Sequence, residues 1–334
     1  MTYLIWRQYR LQWAIALALL AAFAAIELVT GLHMAAAWHN LVTTCGAAAV
    51  QHTQHGGGGA CGQGSIISKL GNDMRVLSVL VPALIGFLWG APLVAHEIET
   101  GTRTFAWAQG ITRNRWLAVK VGWMLLAAAL WGGAVSGMVT WWSGPANALN
   151  ANQFQANYFD TQGIAPIGYA VFAAALGIAA GTVLRRTLPA IAVTIGGFIG
   201  LRLWIDSSFR SHYMTPVTTY VSLTSDASPG GPTALQIGGD MVGPNGQVLA
   251  QNYNDGAVLN GVPISSFPKA CQSAANSPTG NPIQCLAAHG YRAYVTYQPG
   301  NRFWAFQGIE TGIFVALAAA AIALTFVVIN RRDA

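Results

Sequence analysis

The chain has 334 residues, of which 53% are hydrophobic and only 8% are charged. An average soluble domain is about 25% charged, so this composition excludes an ordinary soluble enzyme and indicates that lipid surrounds much of the chain. The formal net charge of +6 arises from basic residues beside apolar runs. That distribution is typical of membrane topology signals and argues against a nucleic-acid-binding surface.

The N-terminal residues 1–12 carry aromatic and arginine side chains in an amphipathic pattern. At about 100° per residue, Ile5, Trp6, Tyr9 and Trp13 fall on one side of a helix. Such side chains suit the headgroup layer of a membrane. We therefore predict an amphipathic interfacial helix, with the start of the first membrane span as the alternative. The apolar run that follows is too long for a signal-peptide core, and we expect it to remain as an anchor.

Apolar runs of membrane-spanning character recur along the chain. A helix needs roughly 20 residues to cross about 30 Å of hydrocarbon. The six runs that approach or reach this length lie at 13–34, 76–95, 116–140, 166–184, 188–205 and 306–329. They predict an all-α polytopic membrane protein, with five spans in residues 13–205 and a sixth span with a cytoplasmic tail in residues 306–334. The fourth and fifth runs are close enough in sequence to predict a tight helical hairpin.

Basic residues predict how these spans are oriented, because cytoplasmic loops carry an excess of Lys and Arg. We place the N-terminus in the cytoplasm of a cell whose plasma membrane the chain crosses several times. The residues that then lie inside, or at the inner boundary, are Arg7, Arg10, Arg103, Arg113, Arg115, Lys120, Arg185, Arg186, Arg331 and Arg332. Six spans would return the C-terminus to the cytoplasm as well.

Three segments would face the outside on this topology. The outer loop at residues 35–75 is rich in Gly and His, and residues 141–165 form a shorter segment. Residues 206–305 are long enough for an extracellular domain, and their Gly, Pro and alternating apolar residues predict strands and turns. The histidines of the first loop have a spacing that fits no defined metal site, so we expect no metal.

The four cysteines form two local pairs in these outer segments. Four cysteines allow three connectivities. The simplest pairing is Cys45–Cys61 and Cys271–Cys285, because each bond then closes one loop; four free thiols are the alternative. Disulfides persist outside the reducing cytosol, so this pairing agrees with the predicted orientation.

The segment that joins the second and third spans has the most specific pattern in the chain. It contains two acidic residues, Glu97 and Glu99, then a Gly101-Thr102 step, and then an amphipathic stretch with Phe105 before a basic cluster. A short helix between two spans is suited to receive a partner and to pass its movement to both spans.

In this segment the chain resembles the membrane permease subunit of ATP-binding cassette (ABC) exporters of the type-2 (drug and polysaccharide export) class. In that class a Glu-x-Glu-x-Gly-Thr stretch follows the second span and leads into a coupling helix, here near residues 97–111. The segment 297–314 is similar to one that is common in actinobacterial permeases of this class. The resemblance implies roles in ATPase coupling for Glu97, Glu99, Gly101, Thr102, Arg103 and Phe105. The outer region at 206–305 departs from the family, in which a short re-entrant turn is usual.

The resemblance also implies a division of labour. The chain would be a permease that is not catalytic by itself, and two copies of a separate ATPase would bind ATP and magnesium. A second permease copy or a sister permease would complete the complex. The chain contains no G-x-x-x-x-G-K-[ST] phosphate loop, and no cofactor is expected in it. The expected cargo is hydrophobic or amphipathic, such as a drug-like natural product, a peptide or a lipid, moved out of the cell.

Three residues inside the predicted spans are candidates for the substrate path: Glu27, Trp123 and Trp131. An ionisable group at mid-helix costs about 2.5–3.5 kcal/mol on insertion scales, so Glu27 is expected to face a cavity or a partner. The alternatives are that Glu27 lies at a permease dimer interface or is hydrated near the outer headgroups, and that the two tryptophans only pack.

Two further expectations concern charged residues near the outer ends of the spans. Arg202 and Asp206 are four residues apart, a spacing that allows an ion pair on one helix face. Glu310 is expected to be hydrated or paired, with Arg302 as the candidate partner.

Three other classes of protein compete with the exporter. A sensing or mechanotransmitting membrane protein without cargo is suggested by the large outer region. An intramembrane enzyme would need clustered Asp, His or Ser residues, which the spans almost lack. A secondary transporter would have only Glu27 as a candidate coupling group, and no inverted repeat is visible.

Overall fold

The structure, a computed structural model, divides into two compact units. It describes residues 2–45, 84–99, 112–144, 147, 153–224, 229–231, 233–249, 258–259, 262–275, 277 and 280–332. Unit 1 comprises Met1–Ala151, Gln155–Arg210 and Trp304–Ala334, and unit 2 comprises Asn152–Phe154 and Ser211–Phe303. Each unit is described here by itself.

The described helices are numbered in chain order. They are α1 (Thr2–Cys45), α2 (Ala91–Glu99), α3 (Arg113–Trp142), α4 (Ala156–Phe159), α5 (Ala165–Leu184), α6 (Thr187–Ser208), α7 (Lys269–Ala275), α8 (Pro282–Ala288) and α9 (Phe303–Arg332). The strands are β1 (Val217–Ser222), β2 (Leu235–Val242), β3 (Val248–Leu249), β4 (Val258–Leu259), β5 (Val262–Pro263) and β6 (Arg292–Gln298).

Five helical segments are long and apolar enough to cross a membrane. They are Ala14–Thr44, Asn114–Trp142, Ala165–Leu184, Thr187–Ser208 and Gly300–Arg331. The predicted multi-pass helical protein is confirmed. The predicted span at 76–95 is only partly described, as a π-helical turn at Gly86–Gly90 that leads into α2. The count of six spans therefore stays a prediction.

Helix α1 differs from the sequence interpretation because it is one continuous helix through Thr2–Cys45. No Pro interrupts residues 2–45, and alanine and leucine, the strongest helix formers, dominate the sequence that follows Trp13. The same composition extends the helix through residues 35–45, which the sequence interpretation assigned to the outer loop. An interfacial position for the first turns stays a prediction.

The contact between the Gly86–Gly90 turn and α5 depends on small residues. A Cβ atom added to Gly86 would lie 2.5 Å from the backbone of Ala173, and one added to Gly90 would lie 2.9 Å from the carbonyl oxygen of Ala174. Gly177 approaches the backbone of the Gly86–Gly90 turn equally closely. Glycine and alanine spaced four apart let helix backbones pack this closely in membranes.

Helix α5 lies at the centre of unit 1, with 72% of its span buried against 28% for α6. It packs against α2, α3 and α6. An aromatic cluster joins α5, α6 and α9: the ring of Tyr169 lies 4.8 Å from that of Phe314, and Phe172 lies 5.4 Å from Phe314 and stacks on Phe198 at 6.4 Å. Helix α5 is therefore the central helix of unit 1, against which the neighbouring helices pack.

Unit 2 is a mixed α/β structure. An antiparallel sheet has the strand order β1-β6-β2-β3, and β4 pairs with β5. Cys271 and Cys285 form a disulfide, with their Cα atoms 5.5 Å apart, that links α7 to α8. The predicted strands and this predicted disulfide are confirmed. The predicted Cys45–Cys61 bond lies outside the described residues.

Candidate functional site

The last turn of α2 is tied to α3 by a buried ion pair. The Lys120 ammonium donates to the Glu97 carboxylate, and the two side chains are 3% and 9% exposed. The same ammonium lies 4.6 Å from the centre of the Trp116 ring, which adds a cation–π contact. Removal of one partner from a buried ion pair leaves an uncompensated charge, so Glu97 and Lys120 hold the two helices together as a unit.

The same turn is tied to α6 through Glu99. The backbone N–H of Thr187 donates to one Glu99 carboxylate oxygen at 3.0 Å, and the Thr187 hydroxyl donates to the other at 2.6 Å. The first N–H groups of a helix lack partners within the helix and favour a negative charge. Glu99 thus caps α6 from a different helix. The hydrogen bonds from the Thr187 hydroxyl and then its N–H lower the pKa of Glu99 below its usual value.

The connection between α5 and α6 is the tight hairpin that the sequence predicts. Arg185 adopts a left-handed conformation, with φ of 55°, and its N–H donates to the Gly181 carbonyl at 3.0 Å. Arg186 is extended, and α6 begins at the next residue. The left-handed residue ends α5 and reverses the chain within two residues, which brings Thr187 to Glu99.

The sequence-predicted coupling residues are only partly described. Glu97 and Glu99 lie at the end of α2, and α3 begins at Arg113. Gly101, Thr102, Arg103 and Phe105 lie outside the described residues, as does most of the predicted coupling helix. Their roles stay predictions.

The three candidates for a substrate path lie in different surroundings. Glu27 is buried in α1, at 3% exposure. Trp131 is buried, and its ring centre lies 6.2 Å from that of Trp89. Trp123 is 45% exposed on α3. Among the described residues, these three side chains do not line a common cavity. A substrate role for each stays a prediction.

A second polar cluster lies near the start of α5, around Tyr169. At a rise of 1.5 Å per residue, Tyr169 is about 22 Å from the other end of the helix, where Glu99 and Thr187 meet. Its members are charged or hydroxyl side chains from α5, α6, α9 and the segments just before α5 and just after α6: Asp160, Tyr169, Arg202, Asp206, Arg210 and Glu310. We call this the ionic cluster. All of its members except Asp206 are buried.

Arg210 is the centre of the ionic cluster. It donates to Asp160 at 2.5 Å, to Glu310 at 3.0 and 2.8 Å, and it pairs with Asp206. Burial alone would lower the pKa of Arg210, but the carboxylates of Asp160 and Glu310 outweigh burial and raise it. Arg210 therefore stays charged and neutralises several acids together.

Tyr169 and Arg202 complete the ionic cluster. The Tyr169 hydroxyl lies 2.6 Å from Glu310 and 3.0 Å from Asp160. Arg202 pairs with Asp160 at 2.9 Å and stacks 4.7 Å over the Tyr169 ring. The cluster thus connects α5, α6 and α9.

Sequence reasoning identified some of these charges but not their partners. It expected Arg202 to pair locally with Asp206, whereas the structure pairs Arg202 with Asp160 and Asp206 with Arg210. It expected Glu310 to be hydrated or paired. Glu310 is paired, but with Arg210, 100 residues away in sequence. Sequence reasoning missed Asp160 and Tyr169. The one signal for Asp160 was its position, as an acid a few residues before the apolar run at 166–184.

A neutral side chain caps α5 in the same region. Gln307 accepts from the N–H groups of Ile164 and Ala165 at 3.1 and 2.7 Å, and it donates to the Phe159 carbonyl at 2.8 Å. Both ends of the α5–α6 hairpin are therefore held by side chains from other helices, Gln307 at one end and Glu99 at the other.

Comparison with known families decides the identity of this helical unit. Residues 17–210 match the family described as ABC-2 membrane transporter related. That range covers more than half of the chain. The chain belongs to this family. Comparisons with curated proteins and with solved structures gave no match.

Membership makes the chain a membrane transport component, an ABC-2 permease that implies an ABC ATPase partner. The matched range contains the Glu97–Lys120 pair, the Glu99 cap and every member of the ionic cluster except Glu310. It ends at Arg210, one residue before the main segment of unit 2, Ser211–Phe303. Most of unit 2 therefore lies outside the matched range.

Proposed function

We propose that this permease is the membrane subunit of an ATP-driven exporter, and that Glu97 and Glu99 transmit the movement of its ATPase to the spans. The observation that carries the proposal is the pair of connections at the end of α2. Glu97 contacts α3 through Lys120, and Glu99 contacts α6 through Thr187. Both acids lie at the start of the segment, near residues 97–111, that the family resemblance assigns to ATPase coupling.

These contacts give a physical route for force. A push on residues 100–111 would act on the last turn of α2. The buried Glu97–Lys120 pair would carry it to α3, and the Glu99 cap would carry it to α6. Helix α5 would follow, because its backbone is in close contact with the Gly86–Gly90 turn. Four helices would then change arrangement together, as a two-state transporter requires.

The remaining parts of the proposal concern assembly and cargo. The ATPase would be present in two copies and would bind ATP and magnesium. The permease would pair with a second copy or a sister permease in the plasma membrane, with both termini in the cytoplasm. Export of a hydrophobic or amphipathic cargo is supported by the family resemblance. The basic residues at the ends of the spans support the orientation.

A sensing or mechanotransmitting role is the second candidate. Unit 2 favours it, because a separately packed sheet of this size with its own disulfide exceeds what a permease needs to connect two spans. Such a protein would use its ATPase to signal rather than to move cargo. Transport of cargo by the purified complex, dependent on ATP, would exclude this candidate.

The proposal is tested by purification of the tagged permease from its native membrane in mild detergent. We expect an ABC ATPase to co-purify in stoichiometric amount. The Glu99→Gln variant keeps the shape but removes the charge that caps α6, and we expect it to retain the ATPase and lose coupling. Arg331→Gln, an exposed charge at the end of α9, is the matched control. A permease that purifies without any ATPase would contradict the proposal.

A further inference from the structure

The position of Glu27 on α1 is unusual for an acid in a membrane helix. The buried residues of this helix form one stripe: Ala16, Glu27, Gly31, Met34 and Leu41. The neighbours Leu28 and Val29 are 52% and 56% exposed on the other faces. Glu27 is 3% exposed, so it lies on the face of α1 that packs against the protein.

Among the described residues, the carboxylate of Glu27 differs from the other buried acids in its surroundings. Within the described residues, Glu97, Asp160 and Glu310 are each paired with Lys or Arg. The buried Oε2 atom of Glu27 has no hydrogen-bond partner there, and no ion pair to this side chain is found in those residues. A buried carboxylate is ordinarily paired or coordinated, so a positively charged group that reached this side chain would be stabilised by it.

Aromatic side chains lie beside the next turn of α1. The Trp142 indole N–H donates to the Thr30 hydroxyl at 2.8 Å. A Cβ atom added to Gly31 would lie 3.0 Å from ring atoms of both Trp141 and Trp142. The absence of a side chain at Gly31 therefore lets two indole rings approach the helix one turn beyond the carboxylate.

A carboxylate and indole rings together have the chemistry that recognises organic cations. The carboxylate supplies charge, and indole faces attract ammonium-like centres through cation–π contacts while they cover apolar groups. A metal ion is a poor fit, since it would require several oxygen or nitrogen ligands.

We propose that Glu27 is the charge-recognition residue of a binding site for an organic cation, an ammonium or phosphonium centre on an apolar body. The inference rests on the proposed transport function, since it names the class of cargo. The cation pairs with the Glu27 carboxylate, and its apolar body lies against α1 and the indole of Trp141, which is 56% exposed, whereas Trp142 is buried behind it. A neutral molecule of the same shape leaves the carboxylate unpaired and binds less tightly. The cation is a soluble amphipath or the headgroup of a lipid.

The test is binding of tetraphenylphosphonium to the complex of permease and ATPase in nanodiscs of phosphatidylglycerol, a lipid without a cationic headgroup. Equilibrium dialysis measures binding, and quenching of tryptophan fluorescence reports the indoles. We expect Glu27→Gln to weaken binding at least about tenfold. Glu27→Asp, which keeps the charge, is expected to retain most of the affinity. Triphenylphosphine oxide, a neutral probe, is expected to bind all three proteins equally weakly.

The outcomes separate the inference from the function on which it rests. Equal binding of tetraphenylphosphonium by wild type and Glu27→Gln, or no binding to an intact complex, would overturn the cation site and leave the ATPase partnership standing. Nanodiscs that contain phosphatidylethanolamine distinguish the sources: competition with tetraphenylphosphonium supports the site and identifies a lipid headgroup, and no competition supports a soluble cation. Asp240→Asn, a change of acid in unit 2, is the control for net charge.

Discussion

Arg210 and Glu310 form a two-point ion pair between positions 100 residues apart in the chain, with donor–acceptor distances of 3.0 and 2.8 Å. Both side chains are buried, at 2% and 0% exposure. The pair fixes the start of α9 to the end of α6. Because Arg210 also contacts Asp160 and Asp206, it holds three acids that would otherwise repel one another.

Substitution of Arg210 is therefore expected to destabilise unit 1. Arg210→Met should lower the free energy of unfolding by about 3–5 kcal/mol, the usual effect of breaking a buried ion pair. Arg210→Lys should have an intermediate effect, because lysine keeps the charge but loses the forked geometry. Thermal unfolding of the permease in detergent measures both. A midpoint for Arg210→Met equal to that of the exposed control Arg331→Gln would contradict the role of the ionic cluster.

The close contact of the Gly86–Gly90 turn with α5 predicts different effects of alanine at two glycines. Gly86→Ala places a methyl group 2.5 Å from the Ala173 backbone and should destabilise the permease by about 1–3 kcal/mol. Gly196→Ala meets no atom within 4 Å and should be neutral or stabilising by up to about 1 kcal/mol, because glycine weakens helix interiors. Melting in matched detergent compares them, and similar destabilisation at both positions would refute the close approach.

The disulfide of unit 2 is expected to stabilise that unit locally. Cys271 and Cys285 close a loop with a sequence separation of 14, for which the chain-entropy estimate is about 3 kcal/mol. Replacement of both cysteines by alanine should increase proteolysis within residues 211–303 while the helices of unit 1 remain protected. Limited proteolysis with mass spectrometry measures this. Unchanged cleavage in unit 2 would show that its core is sufficient without the bond.

The cap on α6 predicts a dependence on pH. The hydrogen bonds from Thr187 lower the pKa of Glu99 below its usual value. The stabilisation that they provide is therefore complete above the ordinary carboxyl pKa near 4.5, and it is lost as the pH falls from there through the lowered pKa. Unfolding midpoints of wild type and Glu99→Gln should differ at pH 7 and converge in acid. A difference that stays constant from pH 7 to about pH 3 would contradict an ionised cap.

Hydrophobic runs and basic residues were sufficient to predict most of the helices. The runs at 116–140, 166–184, 188–205 and 306–329 each fall within a helix of the structure, because every span must be apolar over a length set by the bilayer. The hairpin at Arg185 and Arg186 was predictable for a similar reason, since two spans with so short a connection must be antiparallel neighbours.

The partners of charged residues were not predictable in the same way. The Glu97–Lys120, Glu99–Thr187 and Arg210–Glu310 contacts join positions 23, 88 and 100 residues apart. Sequence periodicity describes neighbours within one helix, whereas these contacts depend on how helices pack. The spacing of Arg202 and Asp206 allowed a local pair, but it could not reveal the ion pairs that packing forms with Asp160 and Arg210.

The transmission of ATPase movement through Glu97 and Glu99 is tested most directly by the ratio of cargo transported to ATP hydrolysed. The complex would be reconstituted in proteoliposomes with Glu97→Gln, Glu99→Gln, the double variant and Arg331→Gln as the control. The account predicts that ATP hydrolysis persists in the two single variants while transport per ATP falls, with the largest fall in the double variant. An unchanged ratio in all of these variants would contradict it, and the end of α2 would then be a structural contact without a role in coupling.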